Sequence, residues 1–244
     1  DWTYRRFWAD EKHPYRLLRD RLAELAEPGL TVVDAGCGYT APALRELRQS
    51  GARLIGVDMV PIEPCDGIEL HRGDIARIPL PDASVDLLYS RSVMEHVTDP
   101  DAVFAEARRL LRPGGRWVFL TANRWDYISL ASRLTPNRLH GAIVHRLEGR
   151  DEEDVFPTAY RCNDRRQIAR HAAAAGLRVD RFSYHRQYPS MFMTLGGVPF
   201  FVASLYERLL MRAPMLAPLR GWLFVELVRP DEPAARAETV AAAA

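Results

Sequence analysis

The stretch LTVVDAGCGYTAP, residues Leu30 to Pro42, decides the fold. Leu30, Val32 and Val33 are apolar and rich in β-branched side chains, which suits a buried strand. Gly36 and Gly38 follow. Without a Cβ they let the backbone turn sharply and come close to a ligand. Thr40 is a suitable N-cap, and Pro42 suits the first turn of a helix. A strand, a glycine turn and a helix in that order place a small-molecule site at the carboxyl end of a central strand. Gly36, Gly38 and Ala41 also satisfy G-x-G-x-x-A, the dinucleotide fingerprint. Asp34, at the strand tip, separates the two readings. A carboxylate there gains nothing from a pyrophosphate and favours a ligand carrying an ammonium or a sulfonium.

Arg53 to Asp58, RLIGVD, reads as a second apolar strand ending in an acid. Asp58 follows the turn by about twenty residues, the spacing of a carboxylate that accepts hydrogen bonds from ribose hydroxyls. A plain strand-terminal aspartate in a turn is the alternative. Ile68 to His71 reads as a short strand, and Asp74 just after it can accept from an exocyclic amine such as that of adenine. Pro79 and Pro81 make an irregular loop before the strand Val85 to Tyr89. A helix ending at Arg112, a turn at Pro113-Gly114-Gly115 and a strand from Trp117 to Thr121 come next.

With these motifs in order, the chain resembles the class I S-adenosylmethionine-dependent methyltransferases, of the methyltransferase type 11 kind. The match runs through DAGCG, VD at the second strand end, GDI, SVDLLYSRSVMEHV and LRPGGRWVFL, from Thr31 to about Asn123. The resemblance implies a Rossmann-like α/β fold. Its seven-stranded, mostly parallel sheet would have helices on both faces and helical insertions after strands 5 and 6. It implies S-adenosyl-L-methionine as cofactor. Asp34, Gly36, Cys37 and Gly38 would surround the methionine part. Asp58 and Met59 would hold the ribose and flank the adenine. Asp74 and Ile75 would meet the adenine edge, and Ser90 and Arg91 would line the floor near the reacting methyl. One departure stands out: the usual third glycine of the first motif is Thr40 here.

Composition agrees. The chain has 244 residues, 48% of them hydrophobic, and a formal net charge of +1. That is enough apolar material for an α/β core, with no global field to attract nucleic acid. Cys37, Cys65 and Cys162 lie far apart, which suggests neither a disulfide framework nor a zinc site. No metal is expected. No signal peptide is visible near the start, and a cytoplasmic enzyme is the default expectation. The expected organisation is one domain over residues 1–230 with a flexible tail, 231–244. Residues 1–27 form an N-terminal helix or lid with Leu17, Leu18, Leu22 and Leu25 at helical spacing. Phe7 and Trp8 would pack on the sheet. Tyr4 and Arg5 could cover the cofactor.

Residues 124–163 and 188–220 read as acceptor-side insertions. The first is expected to carry a helix near Leu139 to Leu147. Asp164 opens a helix from Arg165 to Ala175 that Gly176 stops. Leu177 to His185 and the run from Gly221 are the last two strands, which fit the antiparallel pair at the end of the resembled fold. Residues 188–220 are markedly apolar, with a helix near Val198 to Met211; Gly196, Gly197 and Pro199 interrupt the apolar run, and Glu207 and Arg208 end it short of a membrane span. They could form core and a homodimer surface, wall the acceptor, or rest on a membrane surface through 191–215.

In such an enzyme a base is needed only if the acceptor must lose a proton. The candidates are His96, beside Glu95, together with His140, His145 and Tyr160. The run Asp151 to Asp154, with Asp126, reads more simply as a solvated loop than as a metal cluster. The insertion is similar to a bacterial methyltransferase subfamily associated with polysaccharide or secondary-metabolite pathways. That favours a small-molecule acceptor bearing a hydroxyl. Arg150 and Arg161 could bind an anionic group on it. A nicotinamide-dependent oxidoreductase and a non-catalytic partner subunit remain the rivals. The run Ser90-Arg91-Ser92-Val93 lacks the pattern expected for amino-methylation of bases.

Overall fold

The computed structural model describes residues 2–9, 13–134 and 157–231. Its centre is a sheet of seven strands in the order β3-β2-β1-β4-β5-β7-β6. These are β1 Thr31–Ala35, β2 Arg53–Asp58, β3 Ile68–Arg72, β4 Val85–Arg91, β5 Leu111–Ala122, β6 Arg178–His185 and β7 Trp222–Val228. The first five pair in parallel, and β7 runs antiparallel to both β5 and β6. The order reverses between β1 and β4, which opens a crevice at the carboxyl ends of those strands.

Side chains alternate across the strands, as the period of two requires. Val33, Ala35, Ile55, Leu88, Trp117, Phe119 and Val225 join the core on one face. Val32, Leu54, Leu87, Tyr89, Val118, Leu120 and Phe224 join the core on the other. On the second face lie helices α2 (Pro14–Leu25) and α3 (Pro42–Leu47). Leu18, Leu22, Leu44 and Leu47 supply their buried stripes. The first face is covered by α4 (Pro100–Leu110) and, past α5 (Tyr127–Leu134), by α6 (Arg165–Ala174). Asp99 and Asp164 cap these two helices through the amides of Ala102 and Gln167. Gly176, at φ +70°, follows the second.

Several expectations shift. The N-terminal segment is two helices, α1 (Trp2–Phe7) and α2. Pro14 cannot sit inside a helix and instead starts α2, with His13 as its cap. Trp8 donates to Ser204 at 2.9 Å, on α8 (Gly197–Arg212), which follows the short α7 (Ser190–Thr194). So α1 packs on the 188–220 segment rather than on the sheet. Thr40 is not the cap of α3. Ala41 takes that position in a left-handed conformation, φ +45°, directly before Pro42. β5 begins at Leu111, so the Pro-Gly-Gly turn lies within the strand, as a register shift against β4. The helix α5 was not foreseen. Residues Leu139 to Leu147 lie outside the described residues.

One buried ion pair fastens α2 to the sheet. Glu226 on β7 is 1% exposed and accepts from Arg21 Nε and Nη2 at 2.8 and 3.0 Å. Arg116 and Arg181 approach the same carboxylate. Removing Glu226 takes two charge-assisted hydrogen bonds from Arg21, while Arg21 keeps Glu24 and Arg116 keeps Asp180. Glu226→Ala should therefore cost about 1–3 kcal/mol in urea unfolding. An unchanged midpoint would mean that water already screens the pair.

Candidate active site

The turn after β1 is stitched to the end of β2. The amides of Gly36 and Cys37 both donate to the Val57 carbonyl, at 2.8 and 3.2 Å. Asp58 Oδ2 then accepts from the Gly38 amide at 2.7 Å, and Oδ1 from the Val60 amide at 3.1 Å. The second acid is thus the post around which the glycine turn is folded. Gly36 sits at φ +97°, and a Cβ there would strike the Val93 side chain. Gly38, at φ +70°, opens onto free space. Cys37 turns into the core against Gly56, where burial pushes its thiol far up, so it offers only its backbone to a ligand.

Asp34 ends up 3% exposed beside this turn. Burial drives its carboxyl up to about 7; the Tyr89 hydroxyl and Arg91 pull it back, and Asp58 opposes them. Tyr89 comes close without completing a well-formed hydrogen bond. Asp34 Oδ1 and Tyr89 Oη are both left without a partner. A buried acceptor with no donor is costly, and a ligand that brings a cation removes that cost. The donor set fits such a group: an orphaned carboxylate, an open glycine cradle and a second carboxylate with lone pairs to spare.

The remaining cofactor-side residues divide. Met59 is 64% exposed beside Asp58, able to lie against a planar ring. Asp74 is exposed and accepts from the Ala76 amide at 2.9 Å; Ile75 packs on the edge of the core. Arg91 stacks on Tyr15 with its guanidinium 4.9 Å from the ring centre. The Tyr15 hydroxyl bonds Ser92 Oγ at 2.9 Å. Tyr15, Leu18, Leu22, Leu47 and Arg91 line a cavity of ≈ 220 Å³ there. Ser90 does not share that space. It is fully buried, and its hydroxyl faces the Trp117 indole at 3.4 Å, on the core side.

A second group of residues gathers after β4 and β5. The buried Glu95 carboxylate accepts from Thr121 Oγ1 at 2.8 Å, and Asn163 Nδ2 donates to that same hydroxyl at 2.7 Å. Burial raises the Glu95 carboxyl against the opposing pull of His96. The Glu95 carbonyl accepts the amides of Ala159 and Tyr160. His96 Nδ1 lies 3.1 Å from the Pro157 carbonyl. Tyr160 is buried at φ +49°. Two of the four candidate bases therefore meet around one buried acid. His140 and His145 lie outside the described residues, as do Arg150 and Asp151 to Asp154. Arg161 donates to the Thr98 carbonyl and lines, with Arg124 and Arg170, an open cavity of ≈ 530 Å³.

One acid was misread, and a second is buried. Asp126 is not on a solvated loop. It caps α5 through the amides of Ile128 and Ser129 and is buried. Glu207 lies inside the apolar helix, which runs to Arg212, one residue past its expected end, and it is buried too. Burial lifts Asp126 to about 6 and Glu207 to about 8, the latter with repulsion from Asp126 added. Asp126 Oδ1 and Glu207 Oε1 have no hydrogen-bond partner. An aspartate before Tyr127 and Leu130 is a helix-start signal that could have been read. For Glu207 a single sequence carries none. Among the described residues, no three His, Cys, Asp or Glu side chains gather as a metal site.

Residues 33–119 match the family model described as a methyltransferase domain. Over this segment the chain is similar to the class I S-adenosylmethionine-dependent methyltransferases. It is 33% identical over 127 residues to a probable S-adenosylmethionine-dependent methyltransferase of Mycolicibacterium smegmatis, covering 48% of each chain. It is 35% identical over 106 residues to malonyl-[acyl-carrier protein] O-methyltransferase of Serratia marcescens, covering 39% of this chain and 40% of that one. The chain thus spans about half the length, or less, of the curated relatives it matches. A solved geranyl diphosphate methyltransferase, in complex with GPP and sinefungin, shares the fold at TM-score 0.56 and 18% identity. The match covers 88% of this chain and 77% of that one. S-adenosylmethionine is the cofactor of this methyltransferase family. The matched segment runs from β1 to β5 and contains the glycine turn, Asp34, Asp58 and Asp74.

The raised Asp34 carboxyl has a sign. The folded state holds this proton more tightly than the unfolded state, so stability is lost as pH rises from about 4 through about 7. Asp34→Asn should therefore gain at least about 1 kcal/mol relative to wild type between pH 5 and pH 8. It should also weaken S-adenosylmethionine binding. Parallel urea titrations at the two pH values check this, and a gain that does not change with pH would refute it.

Proposed function

We propose that this chain transfers the methyl group of S-adenosylmethionine to a small-molecule acceptor, with a hydroxyl oxygen as the first candidate for the reacting atom. The observation that carries the reading is the buried Asp34 carboxylate, its Oδ1 without a hydrogen-bond partner, beside an open glycine turn that Asp58 holds in place. A nicotinamide cofactor would leave Asp34 without a role. In this reading Asp34, Gly36, Cys37 and Gly38 hold the methionine end, with Cys37 through its backbone. Asp58 and Met59 hold the ribose and adenine, and Asp74 and Ile75 the adenine edge. Arg91 stands at the methyl side, and Ser90 supports it from below. Bound S-adenosylmethionine supplies a sulfonium methyl already activated for in-line displacement. The protein's share is then to align the acceptor, exclude water and take a proton where one must leave.

His96 is the first candidate for that proton. A carbonyl oxygen can only accept, so the neutral ring places its hydrogen on Nδ1 toward Pro157 and leaves Nε2 with the lone pair. That is the tautomer a base requires. Tyr160 is the second candidate, and His140 and His145 enter on sequence grounds alone. Arg161, facing the open cavity, supports an anionic group on the acceptor. The partnerless oxygens of Asp126 and Glu207, after β5 and on α8, support an acceptor that donates hydrogen bonds. The proposal includes a cytoplasmic location, supported by three cysteines that remain unpaired. Thr40, the one sequence feature in favour of a non-catalytic subunit, is exposed at the end of the turn. Segment 191–215 enters with two faces: its outer apolar stripe, much of it in solvent, as a surface for peripheral membrane contact, and its inner side, at Glu207, toward the acceptor.

Calorimetry with S-adenosylhomocysteine and with NAD tests the cofactor half. The first should bind and the second should not; NAD binding alone would overturn the reading. Asp58→Ala should weaken S-adenosylhomocysteine binding by about 1–3 kcal/mol, since it removes both the ribose acceptor and the post of the turn. Unchanged affinity would displace the ribose from Asp58. Transfer of labelled methyl to a panel of hydroxyl, amine and carbon acceptors then identifies the atom.

A further inference from the structure

Helix α8 inverts the usual distribution of surface residues. Val198, Val202, Leu205 and Leu209 follow one another at helical spacing and stand in solvent, Val198 at 76% exposure. Met215, on the turn after the helix, is 85% exposed. The opposite stripe, Phe200, Ala203, Ser204 and Leu210, is buried together with the acid Glu207. α1 extends the apolar face: Trp2 is 61% exposed and its ring lies 6.3 Å from that of Phe201. A continuous apolar face of this extent on a soluble domain marks an interaction surface.

Among the described residues of α1 and of 187–230, the outward charges are of one sign. Between residues 187 and 230 the acids are Glu207 and Glu226, and both are buried. The outward charge of that stretch is arginine. Arg212 is exposed at the end of α8, and α1 adds exposed Arg5 and Arg6. Arg208 is half-buried, with its guanidinium 5.3 Å from the Phe7 ring. No described helix is long and apolar enough to cross a membrane.

We propose that the α1–α8 face rests on an anionic lipid bilayer, with the α8 stripe, Trp2 and Met215 in the interface and the arginines against the lipid phosphates. An amphipathic helix with aromatic and aliphatic residues on one side and basic residues at its margin binds such a surface in plane. A second copy of the chain fits less well. A two-fold interface sets each patch against itself, which would bring arginine margin against arginine margin. This inference goes beyond the proposed methyl transfer and does not depend on it.

Sedimentation of the full chain with phospholipid vesicles tests it. The probes are phosphatidylcholine alone and phosphatidylcholine with about a third phosphatidylglycerol. Binding should be at least about tenfold stronger to the anionic vesicles and should fall with added salt. Leu205→Glu with Leu209→Glu should abolish it, and Arg212→Glu should weaken it about fivefold. These positions are exposed, so far-UV circular dichroism and S-adenosylhomocysteine binding should match wild type. That separates failure of this surface from failure of the cofactor site. Equal partition to both vesicles, no partition at low salt, or full binding by the double variant would overturn the proposal. So would a dimer in sedimentation velocity that the double variant dissociates, since the face would then be a subunit interface.

Discussion

The site depends on one carboxylate, one carbonyl and three amides at the ends of β1 and β2. Asp58 accepts the Gly38 amide, and the Val57 carbonyl accepts those of Gly36 and Cys37. These bonds hold a backbone of positive φ that only glycine adopts without strain at Gly36, where Val93 closes the remaining space. Because β1 and β2 pair in register along five residues, the ends of both strands arrive at the same height. Asp34 and Asp58 are brought together by the ladder, not by contact with each other. Burying Asp34 there raises its carboxyl, which is unfavourable for the isolated fold and favourable for binding a cation. Strain of this kind is expected where the chain serves a ligand.

The two halves of the molecule were legible to different degrees, for physical reasons. The strands β1, β2 and β3 are each closed by an acid or a glycine, and local chemistry fixes both their type and their ends. The sheet order follows from that pattern, because consecutive strand–helix units wind one way. Residues after Ala122 obey longer-range rules. Asp126 and Glu207 are charged residues in polar-looking places, and only their neighbours in space bury them. Thr40 shows the same limit on a smaller scale. It has the chemistry of a cap, but Pro42 sets the first helical residue and leaves the cap position to Ala41. Ser90 stands on the right strand, yet its side chain lies on the core side, facing Trp117. Strand position alone does not settle which face a residue serves.

The N-terminal segment links the cofactor side to the acceptor side. Arg186, just after β6, lies 3.9 Å from the centre of the Trp8 ring and donates to the Phe7 carbonyl at 2.9 Å. Trp8 in turn reaches Ser204 on α8, while Tyr15 of α2 joins Ser92 and Arg91 at the end of β4. α1 and α2 therefore span from the surface helix to the floor of the crevice.

The distribution of charge on α8 completes this picture. A helix that merely covered a core would turn Glu207 outward and Leu205 and Leu209 inward, because that arrangement satisfies both the carboxylate and the leucines. The observed helix does the reverse. Glu207 is held inward by the Gln187 amide at 3.2 Å, near Tyr127 and Asp126, where its second oxygen awaits a donor. The apolar stripe is left to solvent. Both departures carry a free-energy cost in the isolated chain, and on opposite faces of one helix they have separate remedies. A hydrogen-bond donor on the inner side satisfies the acids, and an apolar phase on the outer side covers the leucines. A helix built to meet both would be placed where this one is, between the crevice and a surface.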